Sequence, residues 1–193
     1  MRLLLVRHGQ SLYQVRGTAC TSDDPPLSAL GIVQAMRLGQ YLARYQPIDR
    51  IVSSPLRRAH QTATIAGEYL GLPVAIDEDV REFEDRLTMS PPLPRSPFEP
   101  AGATAITPER ARFVERVRRA LHRLIPDPDR DESLLLVAHG GTVSAFLHLL
   151  LGMPTARLWS ANTAVHNLRW TGEFWVIRYL NRQDHLPRPL RSW

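Results

Sequence analysis

Short apolar runs recur along the chain, and most are followed by a turn and an amphipathic stretch. Leu3–Val6 and Leu134–Ala138 contain no polar side chain, which is typical of strands covered on both faces of a sheet. Ile51-Val52 is a shorter run of the same kind, and residues 73–76 form a weaker one. Two more strands are predicted at 164–170 and 174–180, because the turn residues between them favour a hairpin.

Amphipathic helices are predicted between these runs. From about Ser28, apolar positions step by four, three and four along one helical face. Two glycines of this helix, Gly31 and Gly39, indicate close packing on the sheet, since glycine lowers helix propensity by about 1 kcal/mol. A second helix is predicted from Ser54-Pro55, which resembles an N-cap followed by a first-turn proline. Two further helices are predicted after Thr107-Pro108 and after Gly140-Gly141, and the second is expected to end near Gly152.

This alternation of strands and helices predicts one α/β domain, residues 1–193, with a mainly parallel central sheet. Residues 87–106 interrupt the pattern with five prolines within ten residues (Pro91, Pro92, Pro94, Pro97 and Pro100). Neither a helix nor a central strand is expected there. We expect this proline-rich segment to lie over a ligand pocket.

The charge of the chain rests on arginine alone. All 24 residues in the Lys+Arg count are arginine, and the formal net charge is +5. The absence of lysine excludes a P-loop lysine and Schiff-base chemistry. Coding bias, a polyanion-binding surface and an anionic substrate site each remain an explanation for the arginines. The single cysteine excludes an internal disulfide framework and a cysteine-based zinc site. No apolar run is long enough to span a membrane or serve as a signal peptide, so a cytoplasmic protein is expected.

Two of the predicted strands end in a histidine that is followed by glycine. The first strand continues into Arg7-His8-Gly9, and the later one continues into His139-Gly140-Gly141. Ligands of open α/β sheets bind beyond the carboxyl ends of the strands. A third strand leads to Arg58 in the first turn of a helix, a place that already favours anions. Together these side chains predict a cationic pocket suited to a phosphoryl group.

The residues at these strand ends resemble the signature of the histidine phosphatases, the phosphoglycerate mutase-like superfamily. Arg7-His8-Gly9-Gln10-Ser11 is similar to its RHG motif. The similarity continues in the same order through further short motifs: Pro26-Leu27-Ser28, Gly31, Gln34-Ala35, Leu38-Gly39, Ser53 to Ala59, Gln61-Thr62-Ala63, Arg81-Glu82, Ala138 to Gly141, and Asn162. It spans nearly the whole chain and implies a three-layer α/β/α fold.

The resemblance also implies a role for each matching residue. His8 would be the nucleophile, and Arg7 and Arg58 would clamp the phosphoryl oxygens. His139 would stabilise the same group, and Glu82 would donate a proton to the leaving oxygen. Gln14 and Gly140 would add substrate contacts, and no metal or other cofactor is implied.

Some positions depart from the family pattern. Gln14 stands where many relatives have asparagine, and Gln10-Ser11 replaces a common Glu-Thr. Glu82 is not followed by the usual glycine and Trp-Glu-Gly run, so Glu84 and Asp85 are alternative proton donors.

The sequence therefore predicts a metal-independent phosphomonoesterase that acts on a small phosphorylated metabolite through a phosphohistidine. A phosphoglycerate mutase-type phosphomutase and a non-catalytic phospho-ligand or protein-binding member of the fold are the alternatives. Hydrolysis is favoured over mutase chemistry because the segment after Glu82 is short, and Arg86 and Arg95 are its only spare cations. No nucleic-acid module is recognised, and no membrane partner is expected.

Other polar and aromatic residues are assigned structural roles. A stripe on the third predicted helix favours a solvated face, with a polyanion or partner surface as the alternative; it comprises Arg112, Arg116, Arg119 and Arg123. The remaining histidines show no metal-ligand spacing: His60, His122, His148, His166 and His185. The four tryptophans, Trp159 among them, are expected to pack in the core or at its edge rather than to form a stacking platform.

Overall fold

The computed structural model describes residues 1–17, 22–45, 47–83, 107–153 and 158–193. Six strands and five helices lie in these ranges. The strands are β1 (Arg2–Arg7), β2 (Arg50–Ser53), β3 (Val74–Ile76), β4 (Ser133–Ala138), β5 (Val165–Trp170) and β6 (Trp175–Arg182). The helices are α1 (Leu12–Arg16), α2 (Ala29–Tyr45), α3 (Arg57–Leu70), α4 (Pro108–Leu124) and α5 (Gly140–Leu151).

The strands form one sheet in the order β3-β2-β4-β1-β5-β6. The first four of these are parallel, and the hairpin β5-β6 adds an antiparallel edge next to β1. This confirms the predicted α/β class with a mainly parallel sheet, and also the C-terminal hairpin.

Helices cover both faces of the sheet, and successive side chains of the central strands alternate between them. Leu3 and Leu5 pack in a cluster with α4 and α5, whereas Leu4 and Val6 pack in a cluster with α2 and α3. The wholly apolar pattern of β1 follows from this, because neither face of the strand meets solvent. The predicted three layers are therefore present.

The helix termini follow the sequence signals in part. Thr107 caps α4 through its side chain, which accepts a hydrogen bond from the Arg110 N–H. Gly152 ends α5 in the left-handed conformation, as its position predicts. The predicted start of α3 is wrong, because the helix begins at Arg57 after an extended Leu56. Ser54 thus lies outside the helix and is available for another contact.

The two glycines of α2 do not pack on the sheet, so that expectation is also wrong. A Cβ at Gly31 would lie 2.0 Å from the Gln10 carbonyl oxygen, in the loop that follows β1. A Cβ at Gly39 would meet Tyr69 and Ala66 of α3. The proline-rich segment 87–106 lies outside the described residues.

Candidate active site

The parallel pairing of β1 with β4 brings the two strand-end histidines together. Arg7 is in register with Ala138, and the His8 N–H donates to the Ala138 carbonyl at 2.9 Å. The ring centroids of His8 and His139 are consequently 5.2 Å apart. The sequence could place both histidines at one sheet edge, but only the strand order makes them neighbours.

Two contacts determine which nitrogen of His8 carries the proton. Nδ1 lies 2.7 Å from the Gly9 carbonyl oxygen, which can only accept, so Nδ1 must be protonated to make this hydrogen bond. The Arg58 Nε–H donates to Nε2 at 3.3 Å, so Nε2 must offer a lone pair. Both contacts select the same neutral tautomer, in which Nε2 carries the lone pair that a nucleophile needs.

The two predicted arginines lie beside this nitrogen. Arg58 is only 6% exposed, and it forms an ion pair with Asp24 at 3.7 Å. Arg7 donates through Nη1 to the Ser160 carbonyl at 2.6 Å. Burial lowers the pKa of Arg7, Glu82 opposes this shift, and Arg58 adds to it. Even so, an arginine remains charged at neutral pH, so the pocket holds two guanidinium groups. The neighbouring Arg57 is exposed and contacts Asp24 through its main-chain N–H.

His139 is fully buried, and its ring is held by a serine. Its Nε2 lies 2.8 Å from Ser54 Oγ, whereas its Nδ1 has no hydrogen-bond partner among the described residues. Burial is the main cause that lowers the pKa of His139 well below its usual range, and the charges of His8, Arg58 and Arg7 add to it. His139 is therefore a neutral imidazole at physiological pH. Sequence reasoning interpreted Ser54 as a helix cap and missed this contact.

Glu82 also lines the pocket. Its Oε1 accepts from the Phe83 N–H at 2.9 Å, and its Oε2 accepts from the Gly141 N–H at 3.1 Å. Gly141 belongs to the first turn of α5, where N–H groups lack intrahelical partners. The carboxyl group is thus fixed between the helix terminus and the cationic residues. The alternative proton donors Glu84 and Asp85 lie outside the described residues.

Gln14 lines the pocket, but its amide is already engaged. Its Oε1 accepts from the Ser11 N–H at 3.0 Å and from Asn162 Nδ2 at 3.2 Å. Its Nε2 donates to Asn162 Oδ1 at 3.0 Å and to the Trp193 carbonyl. Asn162 also donates to the His8 carbonyl at 3.0 Å, so Gln14 and Asn162 brace the loop that carries His8.

A pocket of about 390 Å³ lies beside these side chains. Its lining includes six of the seven site residues that the sequence singled out, namely Arg7, His8, Gln14, Arg58, Glu82 and Gly140. The seventh, His139, is fully buried and is not among the lining residues. Trp159 also lines the pocket and is 55% exposed, so it is not a core residue.

Among the other histidines, His166 is buried and His185 is half-buried. Burial lowers the pKa of each to about 4. His166 lies 2.9 Å from Ser160 Oγ, and His185 lies 3.0 Å from Thr163 Oγ1.

No group of three or more His, Cys, Asp or Glu side chains that could hold a metal ion occurs in the described ranges. In the same ranges, no helix is long and apolar enough to cross a membrane.

The arginine stripe of α4 is not a purely solvated face. Arg123 forms a 2.7 Å ion pair with Asp77, and Arg119 lies 3.3 Å from Asp79. Arg116 donates to the main-chain carbonyls of Glu78 at 3.4 Å and Glu82 at 3.2 Å. Three of the four arginines therefore hold the segment that leads to Glu82.

The chain is similar to several known proteins. The family model described as histidine phosphatase superfamily (branch 1) matches residues 3–183. A Hydrogenobacter thermophilus protein named "Putative phosphoserine phosphatase 2" is 33% identical over 201 residues, which cover 95% of this chain and 97% of that protein. "Probable phosphoglycerate mutase GpmB" of Yersinia pestis is 31% identical, with 98% and 96% covered. The solved mycobacterial glucosyl-3-phosphoglycerate phosphatase in complex with VO3 is 30% identical, has a TM-score of 0.72, and is matched over 94% of this chain and 99% of that one.

Proposed function

Because the chain belongs to the histidine phosphatase superfamily, we propose that it hydrolyses small phosphomonoesters through a phosphohistidine on His8. The observation that carries the proposal is the tautomer of His8. The Gly9 carbonyl holds its proton on Nδ1, and its unprotonated Nε2 accepts from Arg58 in a cationic pocket. A neutral imidazole nitrogen in that setting is a competent nucleophile.

In the first step, His8 Nε2 forms a bond to phosphorus as the bond from phosphorus to the ester oxygen breaks. Negative charge on the equatorial oxygens is stabilised by the guanidinium groups of Arg7 and Arg58. Phosphoryl transfer mainly requires such positioning and charge stabilisation, and these residues supply both without a metal ion.

His139 acts in this step as a neutral hydrogen-bonding group. Ser54 Oγ accepts from the Leu56 N–H at 3.3 Å, and we assign its own hydroxyl proton to the hydrogen bond with His139 Nε2. The ring proton of His139 is then on Nδ1, the atom without a described partner. A phosphoryl oxygen next to His8 would accept a hydrogen bond from it. Gln14 and Gly140 contribute to the walls around the same group.

Glu82 acts as the acid and then as the base. It gives a proton to the departing ester oxygen, so that the alcohol leaves neutral. Its carboxylate then takes a proton from the water that attacks the phosphohistidine, and the bond from Nε2 to phosphorus breaks to release inorganic phosphate. The names of the relatives, phosphoserine phosphatase and glucosyl-3-phosphoglycerate phosphatase, support a small phosphorylated metabolite as substrate.

Trapping of the intermediate tests the proposal. Brief incubation with a phosphate-labelled substrate and quenching should leave acid-labile, base-stable label on the protein, and His8→Ala should carry none. His60→Ala is a matched control, because His60 is not among the residues that line the pocket. Turnover should persist in EDTA, and vanadate should inhibit it. Label that persists in His8→Ala, or turnover that needs added Mg²⁺ or Zn²⁺, would refute the mechanism.

Mutase chemistry is the second candidate, since one relative bears a phosphoglycerate mutase name. The two activities separate when 3-phosphoglycerate is supplied with a trace of 2,3-bisphosphoglycerate. We expect release of inorganic phosphate to dominate. Rapid, primer-dependent formation of 2-phosphoglycerate with little release of phosphate would identify a mutase.

A further inference from the structure

The pocket is lined by apolar and aromatic residues as well as by the cationic ones. Four described residues are of this kind: Tyr13, Phe83, Leu158 and Trp159. An ester bound with its phosphoryl group at His8 must place its alcohol against some other part of the lining. A pocket of about 390 Å³ is in the range that holds a small organic ligand.

Trp159 is held in place although it is exposed. Its ring centroid is 5.1 Å from that of Trp193, with an interplanar angle of 40°. The segment that carries Trp193 is bound to the two residues that brace the loop of His8. The Asn162 N–H donates to the Ser192 carbonyl at 3.1 Å, and Gln14 donates to the main-chain oxygen of Trp193. The two indoles are nevertheless 55% and 66% exposed, so their mutual packing leaves much of each ring open.

We propose that Trp159, backed by Trp193, is a stacking platform for a ring in the alcohol part of the substrate. This proposal rests on the proposed phosphatase activity and names its substrate class: a phosphomonoester whose alcohol carries a sugar or heterocyclic ring. An indole presents a large, rigid and amphipathic face at low entropic cost. Its place in the pocket lining makes it a specificity-determining residue that does not touch the reacting atoms.

Three substrates with similar primary alcohol leaving groups test the platform. Glucose 6-phosphate and adenosine 5′-monophosphate carry rings, and glycerol 3-phosphate does not. We expect Trp159→Ala to lower kcat/KM about tenfold more for at least one ring-bearing ester than for glycerol 3-phosphate, with the loss mainly in KM. Trp159→Phe should recover part of the loss, and Trp193→Ala should show a smaller one. Phe174→Ala, which removes an exposed aromatic ring of the β5-β6 hairpin that is not in the pocket lining, is the control.

Equal losses on all three esters, or no loss in Trp159→Ala, would overturn the platform. Binding to the His8→Ala protein separates this result from failure of the phosphatase proposal. If the wild type hydrolyses none of the esters, calorimetry can still test the platform. It measures how tightly the ring-bearing esters and inorganic phosphate bind. Replacement of Trp159 should weaken binding of a ring-bearing ester about tenfold and leave that of phosphate within twofold, and any other pattern contradicts the proposal.

A separate observation concerns the placement of Glu82. The Glu82 carboxyl group accepts hydrogen bonds from the N–H groups of Phe83 and Gly141. The course of the main chain at Glu82 therefore determines where this carboxyl group lies. Arg116 binds the carbonyls of Glu78 and Glu82 with one guanidinium group. We infer that Arg116 is a positioning residue for the proton donor.

Variants at two arginines of α4 test this role. Arg116→Met should lower kcat for an alkyl phosphate about tenfold more than for p-nitrophenyl phosphate, since misplacement of the acid affects only leaving groups that need a proton. Addition of Arg116→Met to Glu82→Gln should produce no further selective loss. Arg112→Met is the matched control, since Arg112 forms an exposed ion pair with Glu109 on the same helix. Equal losses on both substrates, or selective losses that multiply in the double variant, would overturn the inference. If Glu82→Gln itself shows no selectivity, the acid assignment fails instead.

Discussion

Gly31 of α2 packs tightly against the loop that follows β1 and carries His8. A Cβ there would lie 2.0 Å from the Gln10 carbonyl oxygen, whereas ordinary contacts begin near 3.4 Å. Gly31→Ala therefore requires the Gln10 peptide to move by about 1.4 Å. That peptide directly follows Gly9, whose carbonyl holds the proton on His8 Nδ1 at 2.7 Å. The substitution should disturb the nucleophile although it lies on another element.

Two opposing effects decide the stability of this variant. Alanine in place of glycine favours a helix by about 1 kcal/mol, while overpacking against a main-chain atom costs about 1 to 3 kcal/mol. We expect a net loss of about 1 kcal/mol in the free energy of unfolding. The effect on kcat should be larger, about 100-fold, since a displacement of about 1 Å in a catalytic group has consequences of that size.

Gly39→Ala is the matched control. It makes the same substitution in the same helix, and its Cβ would lie 2.6 Å from Tyr69 and 3.0 Å from the Ala66 Cα, away from the loop. Both variants should lose stability in urea denaturation, but only Gly31→Ala should lose kcat in steady-state assays of p-nitrophenyl phosphate hydrolysis. A folded Gly31→Ala protein whose kcat is within twofold of that of Gly39→Ala would refute the reasoning.

Three further predictions concern proton transfer and stability. Glu82→Gln should slow hydrolysis of an alkyl phosphate about 10²- to 10⁴-fold and that of p-nitrophenyl phosphate far less, because nitrophenolate leaves without a proton; equal losses in parallel assays would contradict the acid role. Arg123→Met should lower the free energy of unfolding by about 1 kcal/mol in urea, since it leaves the nearly buried Asp77 without its ion pair; an unchanged urea midpoint would contradict this. The pKa values of His166 and His185 are about 4 in the folded protein, against about 6.5 when unfolded, so the unfolded chain binds more protons between these values. Stability should therefore be full above pH 6.5 and fall toward pH 4 by roughly 3 kcal/mol for each histidine; a His185→Gln protein should show a shallower fall of its urea midpoint, and an identical pH dependence would be evidence against the linkage.

The sequence by itself determined the fold class and the chemical character of the site. The local pattern of apolar positions indicates which faces of an element are apolar. The run in β1 without polar residues therefore predicted a strand covered on both faces of the sheet. The same holds for the helix signals at Thr107 and Gly152, which act within one turn. Short motifs predicted the side chains that line the pocket because a residue that directly follows a parallel strand lies at its carboxyl edge.

The tertiary structure alone decided which distant groups meet. Ser54 has the local signature of a helix cap, yet its hydroxyl contacts His139, because β2 lies next to β4 in the sheet. Gly31 and Arg116 likewise act on the loop of His8 and on the segment of Glu82, which are far away in the chain. Periodicity carries no information about strand order or about the partners of an element across the fold. Contacts of this kind exist only after the sheet has assembled and both of its faces have been covered.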